Sequence, residues 1–259
     1  MRYRLAVGLL VILAGCDQPP IEWREPAAIA APAPASHLVV DSAGHAEFVP
    51  DSIRAVTLPS DPRLCAASVQ TVLATSHAYA IWWSVRPDSS AILYSAASSD
   101  SGRTWGKPAA VDTTDVSSRG CNRPPPSLTS VGDDMYSAYS MTAPEGTGVF
   151  FAHTMQSMLH SPVAVIYGDR LVAAAIAAEG DRVVVAYEEP NGRREQIDLA
   201  LSTTQGHIFE RHTTATRAVD VATSPAVAIA GREIAVSWVE RRLDASASSR
   251  IMRLGRVTW

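Results

Sequence analysis

Sulfur, imidazole and clustered charge are the groups through which this chain could do chemistry, and their spacing narrows the choice. The chain has three cysteines: Cys16 ends an apolar run, whereas Cys65 and Cys121 lie far apart, each shortly before a β-rich run. Those two lack the C-x-x-C spacing of a metal or redox pair, which leaves a disulfide or two free thiols. The seven histidines, His37, His45, His77, His153, His160, His207 and His212, fall at no ligand spacing such as H-E-x-x-H. His77 at a strand start and His207 in a turn read as structural. No G-x-S-x-G elbow and no phosphate-cradling loop is present, and neither a cofactor nor a metal site is expected.

Cys16 is the exception, because of what precedes it. Arg2 and Arg4 form a positive n-region and Leu5 to Ala14 an uncharged apolar stretch. That stretch is too short for a bilayer span, which takes about 20 apolar residues. It closes on Leu13, Ala14, Gly15 and Cys16, which resembles the lipobox of bacterial lipoproteins. The resemblance implies cleavage after residue 15, a diacylglycerol on Cys16, and a body held to the inner or outer membrane of a bacterial envelope, in the periplasm or outside the cell. Asp17 resembles an inner-membrane retention signal of enterobacterial lipoproteins, while other lineages sort differently, so the leaflet stays open.

The formal charge is −4, and it becomes −6 without residues 1–15, which carry two arginines and no acid. A mildly acidic body does not suit a phosphate backbone, so no nucleic-acid partner is expected. Residues 16–37 hold Pro19, Pro20, Pro26, Pro32 and Pro34 among alanines, a composition that favours extended chain. They read as a tether reaching up to roughly 60 Å from the bilayer. Residues 38–259 are expected to form one domain.

An internal repeat carries the fold. Ser76 to Trp83, Gly132 to Tyr139, Gly180 to Tyr187 and Gly231 to Trp238 align without gaps, each with a turn residue seven places before an aromatic. The aromatics recur at intervals of about 50 residues, and a short apolar run before each turn makes the unit a hairpin. Strand units at this period, with almost no helical pattern, predict an all-β chain folded as a small β-propeller. The expectation is about four blades of four antiparallel strands, closed by an N-terminal strand from Asp51 to Pro59. An irregular fifth blade from residues 38–65 is the fallback.

After the third strand of the first repeat come Ser98, Asp100, Gly102, Thr104 and Trp105, which match S-x-D-x-G-x-T-W. This resembles the Asp-box, or BNR repeat, of sialidase-like propellers. An eroded copy with Thr204 and Phe209 lies 104 residues on, and Thr258 with Trp259 reads as a remnant. These polar groups serve the turn's own backbone, so the motif is scaffold.

By the same resemblance the ligand face lies opposite the Asp-box turns, on the loops after each second strand and those leading into the next blade. That face would carry Arg86, Arg123, Glu188, Glu189, Arg193, Glu240, Arg241 and Arg242 as candidates for binding a ligand or partner. A sialidase-like glycoside hydrolase would use an arginine cluster of Arg86, Arg123 and Arg241, with Glu188 or Glu240 beside Tyr187. The family's F/Y-R-I-P element is absent, and about four repeats stand where sialidases use six. No catalytic residue is therefore assigned, and the preferred reading is a non-catalytic, membrane-anchored module that binds an envelope protein or a glycan.

Overall fold

The computed structural model describes residues 20–51, 60–156, 158–192, 195–217, 221–242 and 247–259. Among the described residues the regular structure is β throughout, apart from a 3-10 turn at Ala66–Ser68. The chain opens with two short strands, β1 (Ile21–Trp23) and β2 (Ala27–Ile29), and a hairpin of β3 (Ser36–Val40) and β4 (Ala46–Pro50). Four antiparallel sheets follow in chain order.

The first sheet is β5 (Gln70–Leu73), β6 (Ala78–Val85), β7 (Ala91–Ser98) and β8 (Ala109–Asp112). The second is β9 (Ser127–Val131), β10 (Asp134–Ala143), β11 (Gly146–Met155) and β13 (Val163–Gly168), with the two-residue β12 (Met158–Leu159) folded back on β11. The third is β14 (Ala174–Glu179), β15 (Arg182–Glu188), β16 (Ile197–Ser202) and β17 (Arg211–Thr214). The fourth is β18 (Val221–Ala230), β19 (Glu233–Arg241) and β20 (Ser248–Val257), with β1 and β2 as its outer strands.

The second strand of each sheet is the sequence repeat, and its burial explains its composition. From Ala78 to Ser84 every residue of β6 is buried, because layers cover both faces of the sheet. Such a strand reads as a continuous apolar run without in-out alternation. The repeat aromatics Trp83, Tyr139, Tyr187 and Trp238 are 0–3% exposed. Burying such rings is favourable only if their polar ends are paired. Trp83 donates to the Pro124 carbonyl (3.0 Å), Tyr139 to Asp112 (2.7 Å) and Trp238 to Glu240 (3.1 Å), while Tyr187 meets the His212 ring (3.1 Å). The hairpin turns at Gly132, Gly180 and Gly231 have φ of 56–59°, the left-handed region that glycine enters without steric cost.

Apolar layers sit between successive sheets. Trp83, Leu93, Tyr139 and Phe150 join the first to the second, Phe151 and Val185 the second to the third, and Leu199 and Trp238 the third to the fourth. Leu38 of β3 packs with Ala228 and Ala235 of the fourth sheet. Cys65 and Cys121 are joined by a disulfide between the first two sheets, which settles the alternative left open by their spacing.

The N-terminal expectations need correction. The outer edge of the fourth sheet is covered by β1 and β2, with Ile21 opposite Val257 and Ala28 opposite Ile251. Of the closing strand expected from Asp51 to Pro59, residues 52–59 lie outside the described residues. The stretch expected to be a free tether is thus sheet at Ile21–Trp23 and Ala27–Ile29. Ile21 is 2% exposed, and its apolar side chain finds a core there. Extended chain flanked by proline is compatible with an edge strand, which uses only one side of its backbone.

Candidate functional site

The innermost strands of the four sheets, β5, β9, β14 and β18, share a central cavity with β3 of the hairpin; its volume is about 710 Å³. The two ends of the body differ. One bears the Gly132, Gly180 and Gly231 turns and the Ser98–Trp105 and Ser202–Phe209 turns. The other, the mouth end, bears the loops after β6, β10, β15 and β19.

His37 and Asp51 pair across the open end of the β3–β4 hairpin, Nδ1 to Oδ1 at 2.9 Å, and both line the cavity. The hairpin's own turn, at Gly44, lies beside Glu233 at the far end, so the His37–Asp51 pair belongs to the mouth end. Gln70, Ser127 and Ser224 line the cavity there, with Thr71 and Thr129 further along the wall. Ser127 accepts from the Ile176 amide at 3.1 Å. Gln70, Thr71 and Thr129 line the cavity with side-chain polar atoms that no described residue engages. Asp51 is the one carboxylate among the described lining residues.

Most of the charges expected on this face are already engaged. Arg123 is buried, with its guanidinium 2.9 Å from Asp115 and 5.1 Å over the Trp83 ring. Arg86 donates to the Thr113 carbonyl (2.6 Å), the Asp115 carbonyl (3.3 Å) and Ser90 (3.1 Å). Both arginines lace loops of the first two sheets and do not converge on the cavity. Glu188 accepts the Ala173 amide (3.3 Å) on one oxygen and the Ser224 amide (2.9 Å) on the other. Ser224 has φ of 54° at a bulge in β18, and Glu188 ties that strained turn to the third sheet. Glu189 is buried and accepts twice from Asn191. Glu240 accepts from Trp238, and Arg241 and Arg242 are exposed at the end of β19. Arg193, like Cys16, lies outside the described residues.

The two sulfur-free turns at the opposite end are built alike. Ser98 accepts the Gly102 amide (2.8 Å), while Asp100 accepts the Thr104 amide (2.8 Å) and hydroxyl (2.6 Å). The Thr104 and Ser98 hydrogen bonds hold the Asp100 carboxyl down at about 2. In the second turn Ser202 accepts the Gly206 amide and Thr204 the Ile208 amide, each at 3.1 Å, so a hydroxyl replaces the carboxylate. Trp105 is half-buried against Trp82.

Sequence reasoning missed two clusters because their members are remote along the chain. One is the His37–Asp51 pair. The other is His153, His160 and His207, whose rings stack or meet edge-on at centroid distances of 4.9–5.8 Å. His153 Nε2 is buried without a hydrogen-bond partner. Burial, with the neighbouring His207 and His160, lowers the imidazole to about 4. Among the described residues no group of three or more His, Cys, Asp or Glu is placed to hold a metal ion. No described helix is long and apolar enough to cross a membrane.

No protein-family model and no curated protein matches the chain. Solved structures do resemble it in shape. A neuraminidase-like protein, subtype N11, of influenza A/flat-faced bat/Peru is 10% identical, with a TM-score of 0.48 over 86% of this chain and 70% of that one. Xylan β-1,4-xylosidase of Bacillus halodurans is 14% identical, with a TM-score of 0.44 over 83% of this chain and 46% of that one. Arabinanase Arb43A of Bacillus subtilis is 12% identical, with a TM-score of 0.41 over 72% and 70%. The chain thus spans less than half the length of the xylosidase. TM-scores under 0.5 leave the chain's own geometry to carry the functional reading.

Proposed function

We propose that this chain is a lipid-anchored module of the bacterial cell envelope that binds a glycan at the mouth of its central cavity. In this reading residues 1–15 are removed, Cys16 carries the lipid, and the four sheets are propeller blades, with the β3–β4 hairpin as a reduced fifth. The observation that carries it is the cavity's chemistry. About 710 Å³ is lined by small apolar residues, by the unengaged polar groups of Gln70, Thr71 and Thr129, and by one His–Asp pair. That is the size of a small-ligand site, and a wall divided evenly between apolar and polar surface suits a neutral, hydroxyl-rich ligand.

Glycoside hydrolysis is the second reading, favoured by Asp51, an ionisable carboxylate facing the cavity. Hydrolysis takes two carboxyl groups flanking the bond. Glu188 has both oxygens occupied by backbone amides and Glu240 accepts from Trp238, and binding is therefore the primary reading.

The test is calorimetry of the purified body against a panel of neutral oligosaccharides, with Gln70→Ala and His37→Ala as variants. Binding that weakens in both variants supports the site. Turnover of an aryl glycoside that is lost in Asp51→Asn would move the assignment to hydrolysis. Neither binding nor turnover across the panel would sink the glycan reading.

A further inference from the structure

We propose that the end of the body bearing the Gly132, Gly180 and Gly231 turns rests on the bilayer that holds the Cys16 lipid, so that the cavity mouth faces away from the membrane. The inference rests on lipidation of Cys16 and adds an orientation to it.

The place where the chain enters the fold comes first. The Pro20 carbonyl accepts the Thr258 amide at 2.9 Å, Ile21 pairs with Val257, and the Val257 amide donates to Arg232 beside the Gly231 turn. Pro20 therefore sits at the turn end. Three residues stand between it and Cys16, and the four steps, at about 3.6 Å each, reach no further than about 14 Å. A body on so short a leash, attached at one end, presents that end to the lipid.

The exposed apolar side chains are distributed accordingly. Leu73 (39% exposed) pairs with Ala78 across the first sheet's turn, and Met158 (64%) and Leu159 (37%) project from β12 at the same end. Ile208 (60%) follows His207, whose ring meets His153 at the foot of β11. At the mouth end stand Val116 and Tyr167. Trp259 lies half-buried at the turn end, donating to the Gly231 carbonyl at 2.8 Å with Arg182 stacked 5.2 Å from its ring. An amphipathic ring of that kind suits a membrane–water interface. Exposed Arg103, Lys107 and Arg232 share this end with exposed Asp41, Asp133, Glu179, Asp181 and Glu210. Apolar contact, rather than net charge, is thus what the bilayer would take up.

The experiment uses the full lipidated protein in vesicles containing doxyl-labelled lipids. A single fluorophore is carried either at Ile208→Cys or at Glu145→Cys, in the β10–β11 turn. The ten-residue β10 puts roughly 30 Å between the two ends. Mass spectrometry first establishes the acyl chains on Cys16. The expected result is loss of fluorescence at position 208 and none at 145, with Met158→Asp weakening the loss. Acylated protein quenched equally at both sites, or more at 145, overturns the orientation while leaving the anchor standing. Protein without acyl chains removes the anchor and the orientation with it.

Discussion

Arg123 and Asp115 face each other at 2.9 Å with side chains 0% and 1% exposed, folding the single connection from β8 to β9 onto itself. Asp115 also accepts the Ala91 amide and the Ser117 hydroxyl, each at 2.9 Å. Truncating one member of a buried pair strands the other charge, which costs about 3–5 kcal/mol. Arg123→Ala should lose stability of that order in urea unfolding, and Arg123→Met with Asp115→Leu should recover much of it. A loss under about 0.5 kcal/mol, the size of an ordinary surface change, would mean the pair is solvated.

This pair also shows where sequence reading stops. The repeat was legible because strands buried on both faces need unbroken apolar runs, and because a turn residue and an aromatic must recur at fixed offsets. The Ser98–Trp105 turn was legible because its hydrogen bonds are local. Arg123 read as a loop charge, since nothing in a one-dimensional pattern shows that Asp115 and Trp83 enclose it. Ile21, Trp23 and Ile29 did carry an apolar signal, which the surrounding prolines outweighed. The His37–Asp51 pair needed the hairpin's register before it could be seen.

The Cys65–Cys121 bridge joins residues 56 apart with a Cα separation of 5.5 Å. Closing a loop of that length removes unfolded-chain entropy worth about 4 kcal/mol. Cys65→Ala with Cys121→Ala should lower stability by a comparable amount in denaturant titration. Because Arg123 is two residues from Cys121, the loss should fail to add to that of Arg123→Ala, and strict additivity in the triple variant would refute that coupling.

Gly180 and Gly206 both have positive φ, 56° and 86°, but different surroundings. A Cβ at Gly180 meets nothing within 4 Å, whereas one at Gly206 would meet the Phe151 ring at 2.3 Å. Gly180→Ala should cost about 1–2 kcal/mol from backbone strain alone. Gly206→Ala adds overpacking of about 1–3 kcal/mol, and should show the larger fall in melting temperature. Equal falls would separate the turn from Phe151.

His153 is neutral in the fold down to about pH 4, against an unfolded value near 6.5. Between those values the unfolded chain binds the extra proton, so stability falls as pH falls from about 6.5 to about 4. The groups facing His153 are His160, His207 and Asp134, the last opposing the shift. The total is up to about 3 kcal/mol. His153→Phe should flatten the pH dependence of urea unfolding in that window, and an unchanged slope would assign it to other groups.

The pairing of β1 and β2 with β20 brings together segments more than two hundred residues apart. β1 and β2 are made long before their partner β20, so the fourth sheet cannot close until β20 has been made. Contacts of such sequence separation form late and slowly. This topology acts as a built-in delay, since the edge of the fourth sheet stays uncovered until segments from the two ends of the described chain meet.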